Sequence, residues 1–213
     1  MEKIPTIFAR DEKNPRLVTR TPTPGCEWVF EGLGTPTWKR DGTNVQVEIV
    51  TDSTCPGASK VSRFWKRKNP TREEKAQGLE PSYILADQND PNDKHLWAAL
   101  HNACPGGQPI WNWPEGIYQC EALGPKIQGG IESRVPELFP FRWISTVREA
   151  GGLCLLEPSI VLSECERTYE GIRDFLTGRP IEGIVWHASD GRMAKLKRRD
   201  FSLEWPADFC YFK

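Results

Sequence analysis

The chain has 213 residues, of which 38% are hydrophobic and 10% aromatic, and its formal net charge is −1. This length and composition predict a folded domain with a substantial core and exclude an intrinsically disordered chain. No apolar run approaches the roughly 20 residues of a membrane helix, and the N-terminus lacks an apolar signal segment. We therefore expect a cytoplasmic or otherwise intracellular protein without a membrane partner.

The first half of the chain predicts strands and two helices. Residues 1–25 are rich in Pro, Thr and charge and predict an extended arm. The alternation of apolar and polar residues over 44–50 predicts a half-buried strand. A short polar helix is expected within 70–81, and a second helix of about ten residues begins at Asn92 or Asp93 as its N-cap.

The second half adds strands around one helix. Residues 116–124 predict a strand that ends at a glycine, and the apolar run 153–162 is strand-like. The pattern of 164–178 is helical and stops at Gly178. Residues 181–197 predict a hairpin that turns at Ser-Asp-Gly. We therefore expect an α+β fold dominated by antiparallel strands.

Cysteine and histidine usage argues against a metal framework. The seven cysteines form no Cys-x-x-Cys pair, which favours reduced thiols. His95, His101 and Cys104 come nearest to a zinc site but lack a fourth partner at ligand spacing. Two basic segments, 60–68 and 192–199, predict a local polyanion site, with ordinary solvated faces as the alternative.

Several catalytic motifs are absent. The glycines of 32–37 do not make a dinucleotide fingerprint, and the chain has no Walker A sequence. There is no G-x-S-x-G elbow, and three histidines make a Ser-His-Asp triad unpromising. What remains is lysine and carboxylate chemistry directed at phosphate.

Four segments resemble an ordered motif set. The stretch K-R-D-G-T-N (39–44) resembles motif I, K-x-D-G, of the covalent nucleotidyltransferases, which are the polynucleotide ligases and mRNA capping enzymes. Downstream, Glu121 in Y-Q-C-E-A-L-G resembles motif III and Glu182 in E-G-I-V-W resembles motif IV. Lys195 and Lys197 in A-K-L-K-R resemble motif V. The ordered set is far more specific than any one member.

The closest resemblance is to the compact ATP-dependent 5′ to 3′ RNA ligases of animals and their viral and bacterial relatives. It rests on the segments 62–70, 121–130 and 181–206. Cys120 is a departure, since ligases commonly have Gly before the motif III Glu. The resemblance implies the nucleotidyltransferase fold, the ATP-grasp-like adenylyltransferase fold of ligases, with antiparallel sheets flanking the ATP pocket.

The resemblance also implies a domain plan. Only 16 residues follow Lys197, which is too few for the OB domain of DNA ligases and capping enzymes. We therefore expect one adenylyltransferase domain over 1–213, with no OB or separate C-terminal domain. As partners, the family implies RNA with 5′-phosphate and 3′-hydroxyl ends, and we expect a monomer.

The implied chemistry begins at Lys39, which would attack the α-phosphate of ATP and form a lysine-AMP intermediate. A free lysine has a pKa of about 10.4, so burial and the neighbouring cations Lys195 and Lys197 would have to lower it. The same cations would stabilise the phosphate charge. Glu182 and Asp41 are the expected ligands of Mg²⁺, with Mn²⁺ as an alternative.

Further residues are implied as contacts of the nucleotide or the RNA. Glu121 would accept from the ribose hydroxyl, Arg63 would lie near the ribose and RNA phosphate, and Gly42 would allow a tight turn. Asn44 favours an RNA ligase, because DNA ligases and capping enzymes usually have Arg there. An aromatic, Phe139 or Phe141, would stack on adenine, with core packing as the alternative. The cofactor-binding set is Trp38, Asp41, Gly42, Asn44, Arg63, Glu121 and Phe141.

Two other functions stay open at this point. The chain could be a DNA ligase or a GTP-using capping enzyme, which nucleotide preference would separate from an RNA ligase. It could also be a non-catalytic RNA-binding relative, although retention of the motif lysines and glutamates argues against this. Trp38 fits the protein core as well as an adenine pocket.

Overall fold

The computed structural model describes residues 4–51, 53–54, 59–102, 113–130, 132–141 and 162–206. They form two compact units, unit 1 from 4–40 and 162–206 and unit 2 from the described residues of 41–141. The protein is a mixed α/β protein with antiparallel sheets. A single adenylyltransferase domain over 1–213 stays a prediction.

Ten strands, four helices and two 3-10 helices are described. Along the chain these are β1 (Phe8–Arg10), β2 (Val18–Pro22), α1 (Glu27–Phe30), β3 (Thr35–Lys39), β4 (Thr43–Thr51), β5 (Ser59–Lys68), α2 (Arg72–Ala76), β6 (Ser82–Leu85), α3 (Lys94–Asn102), β7 (Gly116–Leu123), the first 3-10 helix (Gln128–Gly130), β8 (Glu137–Pro140), α4 (Tyr169–Thr177), β9 (Gly183–His187), β10 (Met193–Lys197) and the second 3-10 helix (Arg198–Phe201).

The N-terminal segment of unit 1 is not simply an extended arm. It folds back as the antiparallel pair β1 and β2, and Thr6 forms a parallel bridge to Lys195. Ile7 and Phe8 are buried in the core of this unit. The two strands are too short for their alternation to stand out in a sequence window, so tertiary burial rather than local pattern determines them.

The main sheet of unit 1 has the order β10-β9-β3, with β9 antiparallel to both neighbours. This confirms the predicted hairpin. One face packs on an apolar cluster that includes Ile184, Trp186 and Leu196, all at 0% exposure. Because side chains alternate between the two faces of a strand, the residues between them project from the opposite face.

Helix α4 packs on the same cluster through Ile172, Phe175 and Leu176. It begins after Thr168, whose hydroxyl accepts a hydrogen bond from the Gly171 amide at 3.1 Å, and it ends at Gly178 as predicted. The helix is shorter than the predicted 164–178 because the Thr168 cap fixes its start.

Unit 2 is built on a five-stranded antiparallel sheet with the order β6-β5-β4-β7-β8. The alternation predicted for β4 is confirmed, since Val45, Val47 and Ile49 are buried in the apolar cluster of this unit. Polar and aromatic side chains occupy the other face, which we call the polar face. Its residues used below are Asn44, Gln46, Arg63, Trp65, Tyr83, Gln119 and Glu121.

Two helices flank this sheet in the chain. The predicted polar helix is α2, which has a capping box between Thr71 and Glu74. The second predicted helix is α3, with Leu96 and Leu100 buried. Asp93 precedes α3, but its carboxylate accepts from the Asp87 amide at 2.9 Å and binds Lys66.

Two predictions lie outside the described residues. These are the end of the second helix at 105–107 and, apart from its last residue, the strand-like run 153–162. None of the described helices has the length and apolar character that a membrane crossing requires.

Candidate active site

The motif I and motif V lysines meet at one end of the unit 1 sheet. Lys39 is the last residue of β3 and Lys197 the last of β10, and both pair with Gly183, the first residue of β9. The two lysines therefore flank the same position and project from the face opposite the core. We call this surface the lysine face.

The carboxylate of Glu182 lies between these two lysines. Its Oε2 accepts a hydrogen bond from Lys39 Nζ, and its Oε1 accepts from Lys197 Nζ at 2.5 Å. The Glu182 side chain is 4% exposed, against 18% for Lys39 and 33% for Lys197. Lys39 Nζ also donates to the carbonyl oxygen of Arg40 at 3.0 Å.

Backbone contacts fix Glu182 between the strands. The amide of Arg198 donates to the Glu182 carbonyl at 2.8 Å, and the amide of Lys197 donates to Asp200 at 2.8 Å. Gly183 must lack a side chain, because a Cβ there would lie 2.9 Å from the Cα of Lys197 and closer still to the Leu196 carbonyl. The close approach of β9 to β10 thus depends on glycine.

Arg198 anchors the segment that leads into Glu182. Its buried guanidinium donates to the carbonyl oxygens of Leu176 and of Arg179, the latter at 2.8 Å, near the end of α4. It also donates to the Glu204 carbonyl at 2.8 Å. This arginine therefore belongs to the scaffold, although sequence reasoning placed it in a basic segment.

The lysine face holds a buried carboxylate and two partly buried cations in fixed geometry. Removing such charges from water costs several kcal/mol per ion, and pairing offsets this only when the geometry is good. A buried ion pair is therefore weak evidence that the cluster serves stability. Chemically, the cluster offers an amine, a base within hydrogen-bond distance of it and a second cation for an anionic substrate.

Two other predicted residues lie on the same sheet of unit 1. Lys195 pairs with Val185, one position further along the lysine face, and its backbone bonds to Pro5 and Ile7. Trp38 packs against the core of unit 1, and the Arg40 guanidinium stacks on its ring at 3.9 Å. This placement favours the core-packing alternative for Trp38.

In unit 2, Gly42 and Asn44 lie beside the motif III glutamate. The Gly42 amide donates to Glu121 Oε1 at 3.0 Å, and Asn44 is the direct cross-strand partner of Glu121. Gly42 does not adopt a left-handed φ, so a tight turn is not what requires glycine. A Cβ at Gly42 would instead lie 2.8 Å from Glu121 Cγ and closer to the Ala122 carbonyl.

The remaining predicted residues of unit 2 are spread over the sheet. Arg63 is exposed on the polar face and lies 3.7 Å from Glu48. Phe139 is buried and pairs with Glu121, and the backbone amide of the half-buried Phe141 donates to the backbone carbonyl of Gln119 at 2.8 Å. Asp41 is half-buried at the start of unit 2.

Sequence reasoning missed a hydrogen-bond network on the polar face. The Tyr83 hydroxyl contacts Asn44 Oδ1 and lies 2.7 Å from Gln119 Oε1, and Gln119 Nε2 lies 2.6 Å from Gln46 Oε1. No local pattern pointed to Tyr83. Only the pairing register of four strands brings these side chains together.

The basic segment 60–68 is partly neutralised by its surroundings. Lys66 is paired with Asp93, and Lys68 lies 3.7 Å from Glu74. Some of its basic side chains therefore belong to ion pairs of the scaffold, and others, such as Arg63, are exposed. Fewer of its cations are thus available to bind a polyanion than the sequence predicts.

The described residues contain no group of three His, Cys, Asp or Glu side chains arranged to hold a metal ion. His101 Nδ1 lies 2.7 Å from the Trp97 carbonyl. Cys104 is not among the described residues. The zinc alternative at His95, His101 and Cys104 therefore lies partly outside the described residues.

The mixed α/β fold, with a carboxylate held between two lysines, defines a protein whose site suits an anionic substrate. Residues 164–213 match the family model described as RNA ligase 1. That segment contains α4, β9 and β10, and with them Glu182, Lys195 and Lys197. The match supports a relationship to RNA ligases of the nucleotidyltransferase type, as the motifs predicted.

Of the other two comparisons, one found a similar solved structure. A solved structure of a mutant RNA ligase R4a from Naegleria gruberi, in its apo form, is similar with 16% sequence identity and a TM-score of 0.39. The similarity covers 91% of this chain and 56% of that one, so the chain spans little more than half of its length. No curated protein matches the chain.

Proposed function

We propose that the protein is an ATP-dependent RNA ligase that joins a 5′-phosphate to a 3′-hydroxyl through a lysine-AMP intermediate. The observation that carries this proposal is the placement of Lys39, Glu182 and Lys197. Lys39 of motif I and Lys197 of motif V both bind the motif IV carboxylate of Glu182 at one end of one sheet, although Lys39 is 143 positions from Glu182 in the chain. An ordinary solvated lysine would have no need of a buried partner.

In the first step, the Lys39 amine attacks the α-phosphate of ATP. A nitrogen–phosphorus bond forms, the bond to the β-phosphate oxygen breaks and pyrophosphate leaves. Lys39 must lose a proton to become a nucleophile, and Glu182 Oε2 is the acceptor that already binds its Nζ. Lys197 then supplies positive charge where the phosphoryl group becomes more negative.

In the next two steps, the nucleotide passes through the RNA end. An oxygen of the RNA 5′-phosphate displaces Lys39, which gives an RNA-adenylate with a 5′ to 5′ pyrophosphate linkage and restores the free amine. A 3′-hydroxyl then attacks the RNA phosphate, loses its proton and expels AMP. Lys195, further along the lysine face, provides a second cation for these phosphates.

The proposed cofactor is Mg²⁺ held largely by substrate phosphates, with Glu182 as the carboxylate present at the lysine face. Magnesium commonly uses one or two carboxylates together with phosphate oxygens and water. Glu182 is the carboxylate of unit 1 that would hold it, with Mn²⁺ as a substitute, and Asp41 of unit 2 stays a ligand predicted from the motif resemblance. When bound, the ion would neutralise phosphate charge; Glu182 would then exchange at least one lysine contact for it.

The polar face of unit 2 carries the groups proposed to contact nucleotide and RNA. Glu121 would accept from a ribose hydroxyl, and Arg63 would contact an RNA phosphate. Phe141 would stack on adenine. Trp65, on the same face as Arg63, adds an aromatic surface of the kind that stacks on unpaired bases.

The test is intact-mass spectrometry of the protein after incubation with ATP and Mg²⁺, with GTP in a parallel sample. An AMP-sized increase that is absent in Lys39→Arg would support the proposal, since arginine keeps the charge facing Glu182 but is not a nucleophile. An adduct with GTP instead would favour a capping-type enzyme.

Ligation assays decide the strand chemistry. Sealing of RNA but not DNA ends by the adenylylated protein would support the RNA ligase, and the reverse would favour a DNA ligase. No adduct with either nucleotide, from protein that is folded by circular dichroism and not already adenylylated, would contradict the catalytic proposal and favour an RNA-binding relative.

A further inference from the structure

Tyr83 connects three strands of the unit 2 sheet. It lies on the edge strand β6, and its side chain reaches across β5 to contact Asn44 on β4 and Gln119 on β7. Gln119 in turn contacts Gln46 on β4. Burial raises the pKa of the Tyr83 phenol, so the hydroxyl keeps its proton at neutral pH.

The proton count fixes a direction along this network. A phenol has one proton, so it donates to one amide oxygen and must accept from the amino group of the other amide. Which end of an amide carries oxygen is assigned from its hydrogen bonds. The neighbour of Asn44 decides between the two arrangements, because Glu121 lies directly across from it.

A carboxylate favours the amino end of a neighbouring amide over its carbonyl oxygen, for electrostatic reasons. Asn44 therefore keeps its oxygen on Tyr83 and its amino group on the side of Glu121. This arrangement exchanges the oxygen and nitrogen ends of the Gln119 and Gln46 amides relative to the atoms named above, so that Gln119 donates to the Tyr83 oxygen and accepts from Gln46. Every member of this hydrogen-bond network then has a partner, and the network ends at the Asn44 amino group, which is then available to a ligand.

We infer that Tyr83 is a positioning residue that fixes the Asn44 amide, so that Asn44 and Glu121 form a donor–acceptor pair for a ribose hydroxyl. This inference rests on the proposed function and names what the polar face would recognise. A hydroxyl suits the pair because it accepts from Asn44 and donates to Glu121 at once. A carboxylate has about four lone-pair sites, so Glu121 can bind Gly42 and a hydroxyl together.

The pair also predicts selectivity. A site built to hydrogen-bond a hydroxyl loses affinity for an analogue without it, because its polar groups are then left poorly paired. The ribose could belong to the nucleotide or to an RNA end, and both present the same chemistry. Discrimination between ribose and deoxyribose is therefore the property that Tyr83 should control.

The experiment measures binding by titration calorimetry with full-length, non-adenylylated protein. The first arm compares AMP with 2′-deoxy-AMP and 3′-deoxy-AMP. The second arm compares 5′-phosphorylated oligonucleotides that end in ribose or in deoxyribose. The variants are Tyr83→Phe, which removes only the hydroxyl, and Asn44→Asp, which replaces the donor with an acceptor.

Tyr118→Phe is the matched control. Tyr118 is also half-buried and lies on β7 next to Gln119, but its hydroxyl donates to the Pro114 carbonyl at 2.7 Å and its ring packs on Trp113. Its burial raises its pKa as well. Loss of a buried phenol hydroxyl is thus matched, while the Asn44 amide is untouched.

We expect wild type to prefer ribose by about 10- to 100-fold in at least one arm. Tyr83→Phe and Asn44→Asp should bring that ratio close to one, and Tyr118→Phe should leave it unchanged. The inference is overturned if wild type shows no preference in either arm, if Tyr83→Phe keeps it, or if Tyr118→Phe abolishes it equally. Since binding is measured without chemistry, absence of a Lys39 adduct would refute the proposed function alone.

Discussion

The carboxylate of Glu182 binds the ammonium group of Lys39, although 143 positions separate the two residues in the chain. The pairing follows from the register of β3 on β9, which sets Lys39 opposite Gly183. Lys197 reaches the other oxygen of the same carboxylate from β10. One buried acid therefore holds in place both the proposed nucleophile and the cation proposed to assist it.

Replacing Glu182 by Gln should weaken both stability and adenylylation. The amide keeps the size of the side chain but removes the negative charge that Lys39 and Lys197 share. We expect a loss of about 1–3 kcal/mol in the free energy of unfolding, measured by urea denaturation. Adenylylation should fall at least about 100-fold. Full activity in the Glu182→Gln variant would contradict the proposed role.

Replacing Gly42 by Ala should destabilise unit 2, because the new Cβ would clash with the Ala122 carbonyl and with Glu121. We expect a loss of about 2 kcal/mol in the free energy of unfolding. Gly178→Ala is the control: Gly178 has a φ of −79°, and its Cβ would lie no closer than 3.8 Å to Asp174. Equal losses in both variants would argue against the close approach as the cause.

Replacing Arg63 by Gln should weaken RNA binding in a salt-dependent way. If Arg63 neutralises one phosphate, the slope of log affinity against log salt should decrease by about one unit. Fluorescence anisotropy with a 5′-phosphorylated RNA over a salt series measures this. Arg16→Gln, at an exposed arginine between β1 and β2, removes the same charge and should leave the slope unchanged.

The ionisation of Tyr83 should occur above its ordinary pKa of 10.0, because burial disfavours the phenolate. Because the folded-state pKa is raised, the stabilising contribution of the neutral hydroxyl is fully present below the ordinary pKa of 10.0. It is lost as the pH rises from there through the raised pKa. In an alkaline titration followed by phenolate absorbance, the Tyr83→Phe variant should lack one of the tyrosine ionisations that wild type shows above pH 10.0. An unchanged titration curve would contradict the burial of this hydroxyl.

Local signals in the sequence determined several elements. The strand β4, the hairpin of β9 and β10 and the stop of α4 at Gly178 were predicted from alternation, turn residues and helix punctuation. These features depend on neighbours a few residues away, so a sequence window contains their cause. The motif lysines and glutamates were also identified by their order and residue type, and Glu182, Lys195 and Lys197 fall in the segment that matches the RNA ligase 1 model.

Strand register decided what the sequence could not. Whether Glu182 meets Lys39, whether Gly42 turns or makes a close approach, and whether Tyr83 reaches Asn44 all depend on pairing between distant strands. A shift of one residue would move each side chain to the opposite face of its sheet. The sequence by itself determined which chemical groups are available, and only the tertiary structure decided which of them meet, because register is set by the packing of whole sheets.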